Sequence, residues 1–343
     1  MGHRKGRGRP RIWIVTLNRD SIFLNVLVFF VMVFTAYAFM SMDDVRRAIY
    51  GARPGVSLEG RDMSGLLEPE VERIVSEIAE SKRRSPKDAM MHGESGEVIP
   101  EEEGIEVDEG ATVAAVMRAA PGSKVDLVVH HVLPAITSSH FEALRKADIM
   151  EKAAAFGINV AWGEEYIDGL LDILRQENVK ATFFFDGRWV ELFPGLTRKI
   201  ADEGHEVANH GFRHVHVKDL SIDEIKDLIL KNEELLLQVA GKMSRLFAPP
   251  YGELDRDVLA AAGSLGYRTV LWTIDTIDWK SPTKERLIGR VTGKLLPGSI
   301  ILMHPTAVTV AALPDLIAAI RASGYSIVTI SDLIRLEKER RAS

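Results

Sequence analysis

The spacing of apolar positions gives the chain three textures. Residues 21–40 form a run of twenty without a charge, in which Asn25 is the only strongly polar group. Twenty helical residues span about 30 Å, the hydrocarbon thickness of a bilayer. Core helices rarely lack charge on every face, so the run predicts a transmembrane helix. Residues 41–150 are mixed. Positions 54–65 read as a short strand with turns, and 67–81 have helical spacing with Val71, Ile74, Val75 and Ile78 on one face. Positions 82–110 are polar and acid-rich, with Glu101, Glu102 and Glu103 together, which predicts a solvated loop or weak strand. A helix over 112–120 and a strand over 124–131 follow.

From residue 156 the texture is regular. Apolar runs at 158–162, 181–185, 206–209, 246–248, 269–274, 299–303 and 326–330 alternate with helical spacing. The helices are expected at 167–176, 193–203, 222–239, 255–265, 283–295, 309–322 and 331–340. Strands alternating with helices predict a parallel sheet. Closed into a barrel, such a sheet puts its carboxyl ends on one rim, where active sites of that architecture lie.

Charge orients the amino-terminal segment. Arg4, Lys5, Arg7, Arg9, Arg11 and Arg19 precede the first acid, Asp20. A basic flank stays in the cytoplasm, which places the rest outside. Ala36 and Ala38 fit a small-x-small cleavage site, so a secreted product is the alternative. The apolar run continues past them through Phe39 and Met40, which favours an uncleaved membrane anchor. The remaining composition is ordinary, with 46% hydrophobic and 27% charged residues. A net charge of −6 gives no general attraction to nucleic acid. The chain has no cysteine, which excludes disulfides, thiolate metal sites and cysteine nucleophiles.

Candidate chemistry falls at the expected strand ends. Positions 204–216 hold four of the ten histidines, and His210 and His214 are spaced i, i+4. Neutral imidazoles at that spacing converge on one ion, or decorate a solvated loop. Pro249, Pro250, Tyr251 and Gly252 follow the fourth run, Asp275, Asp278 and Trp279 the fifth, and His304 the sixth. Four successive ends bearing such residues point to one site.

The stretches NVKATFFFDGRWV, GHEVANHGFRH, FAPPYG, LWTIDTIDW and ILMHP, in that order, resemble a polysaccharide deacetylase of the carbohydrate esterase 4, or NodB-homology, type over 155–340. The resemblance implies an α/β fold: a distorted (β/α)7 barrel, here preceded by a small α+β domain and a transmembrane helix. It implies hydrolysis of N-acetyl groups from a glycan such as peptidoglycan. It implies a divalent metal ion (zinc, or cobalt or manganese) held by His210 and His214. His304 matches the general acid and Asp278 the carboxylate that orients it. Trp279 matches an apolar wall against the acetyl group, with Pro249, Pro250 and Tyr251 as further substrate contacts. Residues 41–150 resemble a small envelope domain thought to bind peptidoglycan; a structural spacer is the other reading.

Two motifs depart from the family. Its first motif has two aspartates, a base and a third metal ligand; their positions fall on Asn159 and Val160. The arginine that partners the base falls on Ala248. A guanidinium without that carboxylate is an unpaired buried charge, so the two losses are linked. Glu164 and Glu165 follow in the same strand-to-helix loop and either is expected to turn toward the metal, or simply to complement the helix dipole. His216 is a further candidate ligand, and His205 reads as structural. The expected function is a membrane-anchored extracytoplasmic deacetylase acting on cell-wall glycan. The alternative is a catalytically impaired homologue that binds glycan or serves envelope assembly.

Overall fold

The computed structural model describes residues 19–92 and 95–342. The basic positions 4–11 therefore lie outside the described residues. The chain divides into two compact units, one running to Ser85 and including Gly104–Val132, the other comprising Pro86–Glu103 and Leu133 onward. This differs from the expected single region over 41–150. The acid-rich stretch is divided between the two units, because its residues carry specific contacts. In the second unit Glu101, expected to be solvated, accepts from the Ser138 amide at 2.8 Å and the Ser138 hydroxyl at 2.5 Å, capping the turn Ser138–Phe141. Those bonds hold its carboxyl below the usual range.

In the first unit an N-terminal helix runs over Arg19–Tyr50. Its apolar stretch is long enough to cross a membrane, and none of it is buried. The helix outlasts the expected run by ten residues because its far end is held. The Arg47 guanidinium forks onto both oxygens of Glu70, at 2.7 and 2.8 Å, and pulls that carboxyl down to about 2. Glu70 lies in the first turn of the helix Glu68–Lys82, which packs Val71 and Val75 with Val113 and Val116 of the helix Glu109–Arg118. Short strands complete the unit, among them Gly104–Val107 paired antiparallel with Val129–Val132.

The second unit is built on one parallel sheet. Its strands are β1 (Ala153–Val160), β2 (Thr182–Phe185), β3 (Glu206–Asn209), β4 (Leu246–Phe247), β5 (Arg268–Thr269), β6 (Ile274–Asp275), β7 (Ser299–Met303) and β8 (Ser326–Val328). Their order is β5-β4-β3-β2-β1-β7-β6, with β8 also paired to β1. The sheet curls into the expected distorted (β/α) barrel, left open between β5 and β6. The single strand expected over 269–274 is split, because residues 270–273 carry the chain from one sheet edge to the other. β1 is buried along its whole length, as a central strand covered on both faces must be. Its alternate residues Phe156, Ile158 and Val160 pack outward with Leu170, Leu171 and Leu174 of the helix Glu164–Gln176. Ala153 and Ala155 face the opposite cluster with Phe184 and Ile300. The helix at Gly187–Leu192 is not predicted by the spacing; Asp186 nucleates it by accepting from the Trp189 amide at 3.1 Å.

His205 sits at the foot of β3, opposite the ends that carry the other candidate residues. It is buried, accepts from the Ala181 amide at 3.2 Å and meets Phe183 edge-on at 5.2 Å. Burial lowers its pKa from 6.5 to about 4. The folded state thus binds this proton less readily than the unfolded chain, and the contribution to stability falls as pH drops from 6.5 toward 4. Between pH 7 and pH 5 the wild type should lose about 2 kcal/mol through this group. Urea unfolding at the two pH values checks it: His205→Leu should flatten that part of the decline.

Candidate active site

The carboxyl ends of the strands enclose a cavity of about 360 Å3. It is lined by Asn159, Ala161, Trp162, His210, His214, Tyr251, Gly252, Trp272, Asp275, Trp279, Leu302 and His304. Seven of the eleven residues expected at the site are therefore brought together or buttressed here: Asn159, His210, His214, Tyr251, Trp279 and His304 on the wall, and Asp278 behind His304.

His210 is set by a buried amide network at the end of β3. The Asn209 side chain accepts from the Gly211 amide at 2.7 Å and from Asn232 at 2.9 Å, while donating to the Ile229 carbonyl at 2.9 Å. Gly211 turns with φ +81°, a conformation that side chains rarely adopt. His210 Nδ1 lies 2.6 Å from the Ala248 carbonyl oxygen, so Nδ1 is the protonated nitrogen and Nε2 carries the free lone pair. Burial, reinforced by His214, lowers the His210 pKa to about 3 and keeps the ring neutral. His214 stands edge-on to it with ring centres 5.2 Å apart.

These features suit two imidazoles to one divalent ion. A catalytic zinc site takes three protein ligands. Among the described residues no group of three or more histidines or carboxylates is placed to hold a metal. The donor set fits two positions of such a site and lacks the third. Val160 is fully buried in the helix-side core and does not line the cavity. Glu164 and Glu165 are exposed in the first turn of their helix and do not line it either, so the dipole reading describes their position. His216 is occupied at the rim, with Nδ1 2.7 Å from Glu253 and its ring stacked on Tyr251 at 4.3 Å. Tyr251 is held at φ +58° between His216 and His214. Pro249 and Pro250 precede it in the loop without lining the cavity.

His304 is positioned from below. Its Nδ1 lies 2.8 Å from Asp278 Oδ1, and its own amide donates to Oδ2 at 2.6 Å. Thr309 also donates to Oδ2 at 2.7 Å, and Asp278 is wholly buried. A carboxylate on Nδ1 directs Nε2 toward the cavity, the arrangement of an imidazole that gives or takes a proton there. Asp278→Ala should cost about 3 kcal/mol, because three donors lose a charged acceptor in a dry site. Guanidinium unfolding measures that loss.

Sequence reasoning misses Trp162 and Trp272 as cavity residues and assigns no role to Gly252 or Asp275, which it places at the right strand ends. Trp162 lies two positions beyond β1 and stacks on His304, with ring centres 5.8 Å apart and planes within 10°. Its place just past a strand end is the one signal in the sequence. Ala248 is buried at the floor, where it shares the wall of a small void with Asn159 and Trp272.

Comparison with known proteins agrees with this fold. The polysaccharide deacetylase family model matches residues 147–270, and a putative peptidoglycan binding domain matches 66–127. The chain is 39% identical over 214 residues to the uncharacterized protein YlxY of Bacillus subtilis, covering 61% of this chain and 66% of that one. It is 31% identical to the peptidoglycan-N-acetylmuramic acid deacetylase PdaA of the same organism, covering 59% of this chain and 78% of PdaA. The crystal structure of a CE4 family pseudoenzyme from Bacillus anthracis superposes with a TM-score of 0.56 at 32% identity, covering 76% of this chain and 94% of that one. A mutant described as having restored enzymatic activity superposes with the same TM-score at 31% identity, covering 76% and 97%.

Proposed function

The chain belongs to the polysaccharide deacetylase family, and from that premise we propose that it binds N-acetylated cell-wall glycan, peptidoglycan or a close relative, at the outer face of the cytoplasmic membrane, with hydrolysis impaired. The observation that carries this reading is Asn159, an amide on the cavity wall at the family's base position, with Ala248 beside it. An amide has no basic lone pair with which to take a proton from water. A divalent ion, when bound, supplies water activation and carbonyl polarisation. His210 and His214 are the residues that would hold it. The groups present orient a sugar between aromatic walls and offer a proton donor at His304.

The peptidoglycan-binding match over residues 66–127 supports a wall polymer as partner, and the exposed apolar helix supports an anchor. The B. anthracis pseudoenzyme supports loss of turnover in a chain of this fold. A second reading, metal-dependent deacetylation, is favoured by the intact pair of His304 and Asp278.

One experiment separates the two. Full-length protein in detergent is given N-acetylglucosamine oligomers and peptidoglycan with zinc, cobalt or manganese, and binding and acetate release are followed together. Binding without acetate is expected. Acetate release that disappears in His210→Ala and His304→Ala establishes the hydrolase instead, and absence of any glycan binding removes the first reading. Membrane fractionation with amino-terminal sequencing of the mature chain decides between anchor and cleaved signal.

A further inference from the structure

The helix Arg19–Tyr50 continues past its charge-free run, and the extension carries an apolar stripe beyond the reach of lipid. Met42, Val45 and Ile49 are 69%, 56% and 64% exposed. The headgroup layer adds only about 5–8 Å to each side of the hydrocarbon. Measured from Met40, where the run ends, Val45 stands about 7 Å and Ile49 about 13 Å further along the helix. Lipid covers Met42 but does not reach Ile49.

The spacing of these residues says what covers them. Positions 24, 28, 31, 35, 38, 42, 45 and 49 are separated alternately by four and three, the repeat of a two-stranded coiled coil. Within the charge-free run any register is apolar, so positions 41–50 decide. There Asp43, Asp44, Arg46 and Arg47 all fall off the repeat, while Met42, Val45 and Ile49 fall on it. Ser41 and Ala48 flank the seam on the side away from Arg46, so that arginine meets no like charge across a parallel pair. The rest of the first unit leaves the seam open, because Arg47, which forks onto Glu70, projects from the opposite side of the helix. Inside the run, Thr35 and Ala38 are the small seam residues that let two backbones approach. The Thr35 hydroxyl donates to the Val31 carbonyl of its own helix and brings no unmatched group to the seam. Asn25, the one strongly polar group of the run, flanks the same seam, where a second helix offers its amide a partner that lipid lacks.

Resting on the reading of this helix as an uncleaved anchor, we infer that it is also a dimerisation element. Two copies of the chain pair in parallel along the 24–49 seam, in a left-handed coil that runs from the bilayer into the space outside it. A membrane gives every copy the same direction and depth, so identical seams meet in register about a two-fold axis. A strict seven-residue repeat drifts by about 20° per heptad on a straight helix, and winding the pair left-handed removes the drift.

The chain has no cysteine, so single cysteines report on the seam without background. Met42→Cys, Asp43→Cys, Asp44→Cys, Val45→Cys and Ile49→Cys are each made in the full-length protein, kept in bacterial membranes and oxidised with copper phenanthroline. A disulfide needs closely facing β-carbons. Covalent dimer at positions 42, 45 and 49 should exceed that at 43 and 44 by roughly fivefold or more. Wild type sized by light scattering in mild detergent should carry two chains, and the double variant Val45→Lys, Ile49→Lys one. Equal cross-linking at all five positions, or a maximum at 43 and 44, overturns the inference. So does a monomeric wild type, a measurement that needs no variant to fold. The intact mass of the reduced chain separates these failures from failure of the anchor: a product beginning after Ala38 has lost the helix, and the inference falls with it.

Discussion

Ala248→Arg, made alone, is expected to destabilise the barrel unit by about 3–5 kcal/mol. Ala248 is 3% exposed and shares the wall of a small void with Gly157, Phe184, Val270 and Ile300 as well as Asn159. A guanidinium placed there cannot shed its proton to relieve the burial. Asn159 offers it a single neutral acceptor. Asn159→Asp, made alone, is milder, because burial favours the neutral carboxylic acid and the group can titrate. Together the two variants place a carboxylate beside the guanidinium, and the coupling between them should reach on the order of 3 kcal/mol in a double-mutant cycle. Urea unfolding of the four proteins measures it. Additive costs, or a harmless Ala248→Arg, mean that the two losses are unrelated. Adding Val160→Asp to the pair is expected to raise acetate release only if the end of β1 re-aims, since Val160 packs against the helix layer.

The pattern of apolar positions is enough for most of the scaffold. β3 and β7 begin and end where the runs do, because each is a short apolar segment bounded by glycine, polar groups or a change of direction. Periodicity says nothing about which edge a strand joins, so the run at 269–274 reads as one strand although it joins the two edges of an open sheet. The helix at Gly187–Leu192 depends on one aspartate accepting from one amide, a local bond that averages over a window conceal. Glu101 reads as solvated because three adjacent acids usually are; its bonds to Ser138 join positions 37 apart in sequence. Contacts at that separation have no local signature.

The site is legible where side-chain identity decides chemistry. His210, His214, His304 and Asp278 stand in the relation their types suggest, with one nitrogen of each ring pinned for His210 and His304. It is illegible where direction decides. Val160 and Asn159 are neighbours on β1, and alternation sends one to the core and the other to the cavity. Glu164 and Glu165 follow a glycine that turns the chain into a helix, and the first turn leaves both outside. Trp162 gains its role from a loop that packs against another loop, which no single stretch of sequence discloses.

That packing makes Gly163→Ala the second large effect, on the order of 3 kcal/mol. Gly163 has φ +85°, where an alanine is strained in any surroundings, and a Cβ there would lie 2.1 Å from the Pro305 carbonyl oxygen. Backbone cannot rotate away as a side-chain tip can, so the loop bearing Trp162 and the loop bearing His304 must separate. For a unit of this size the midpoint of thermal unfolding should fall by roughly 6–12 °C. Gly289→Ala is the control: Gly289 lies within the helix Lys284–Thr292, has no positive φ, and would place its new methyl group with nothing within 4 Å. There the same substitution should stabilise by about 0.5–1 kcal/mol, through a less free unfolded chain and better helix propensity. Opposite signs at the two glycines, with glycan affinity reduced only at Gly163, would tie the Trp162–His304 stack to binding. A Gly163→Ala protein that unfolds lower yet binds as before separates the loop's structural role from the site.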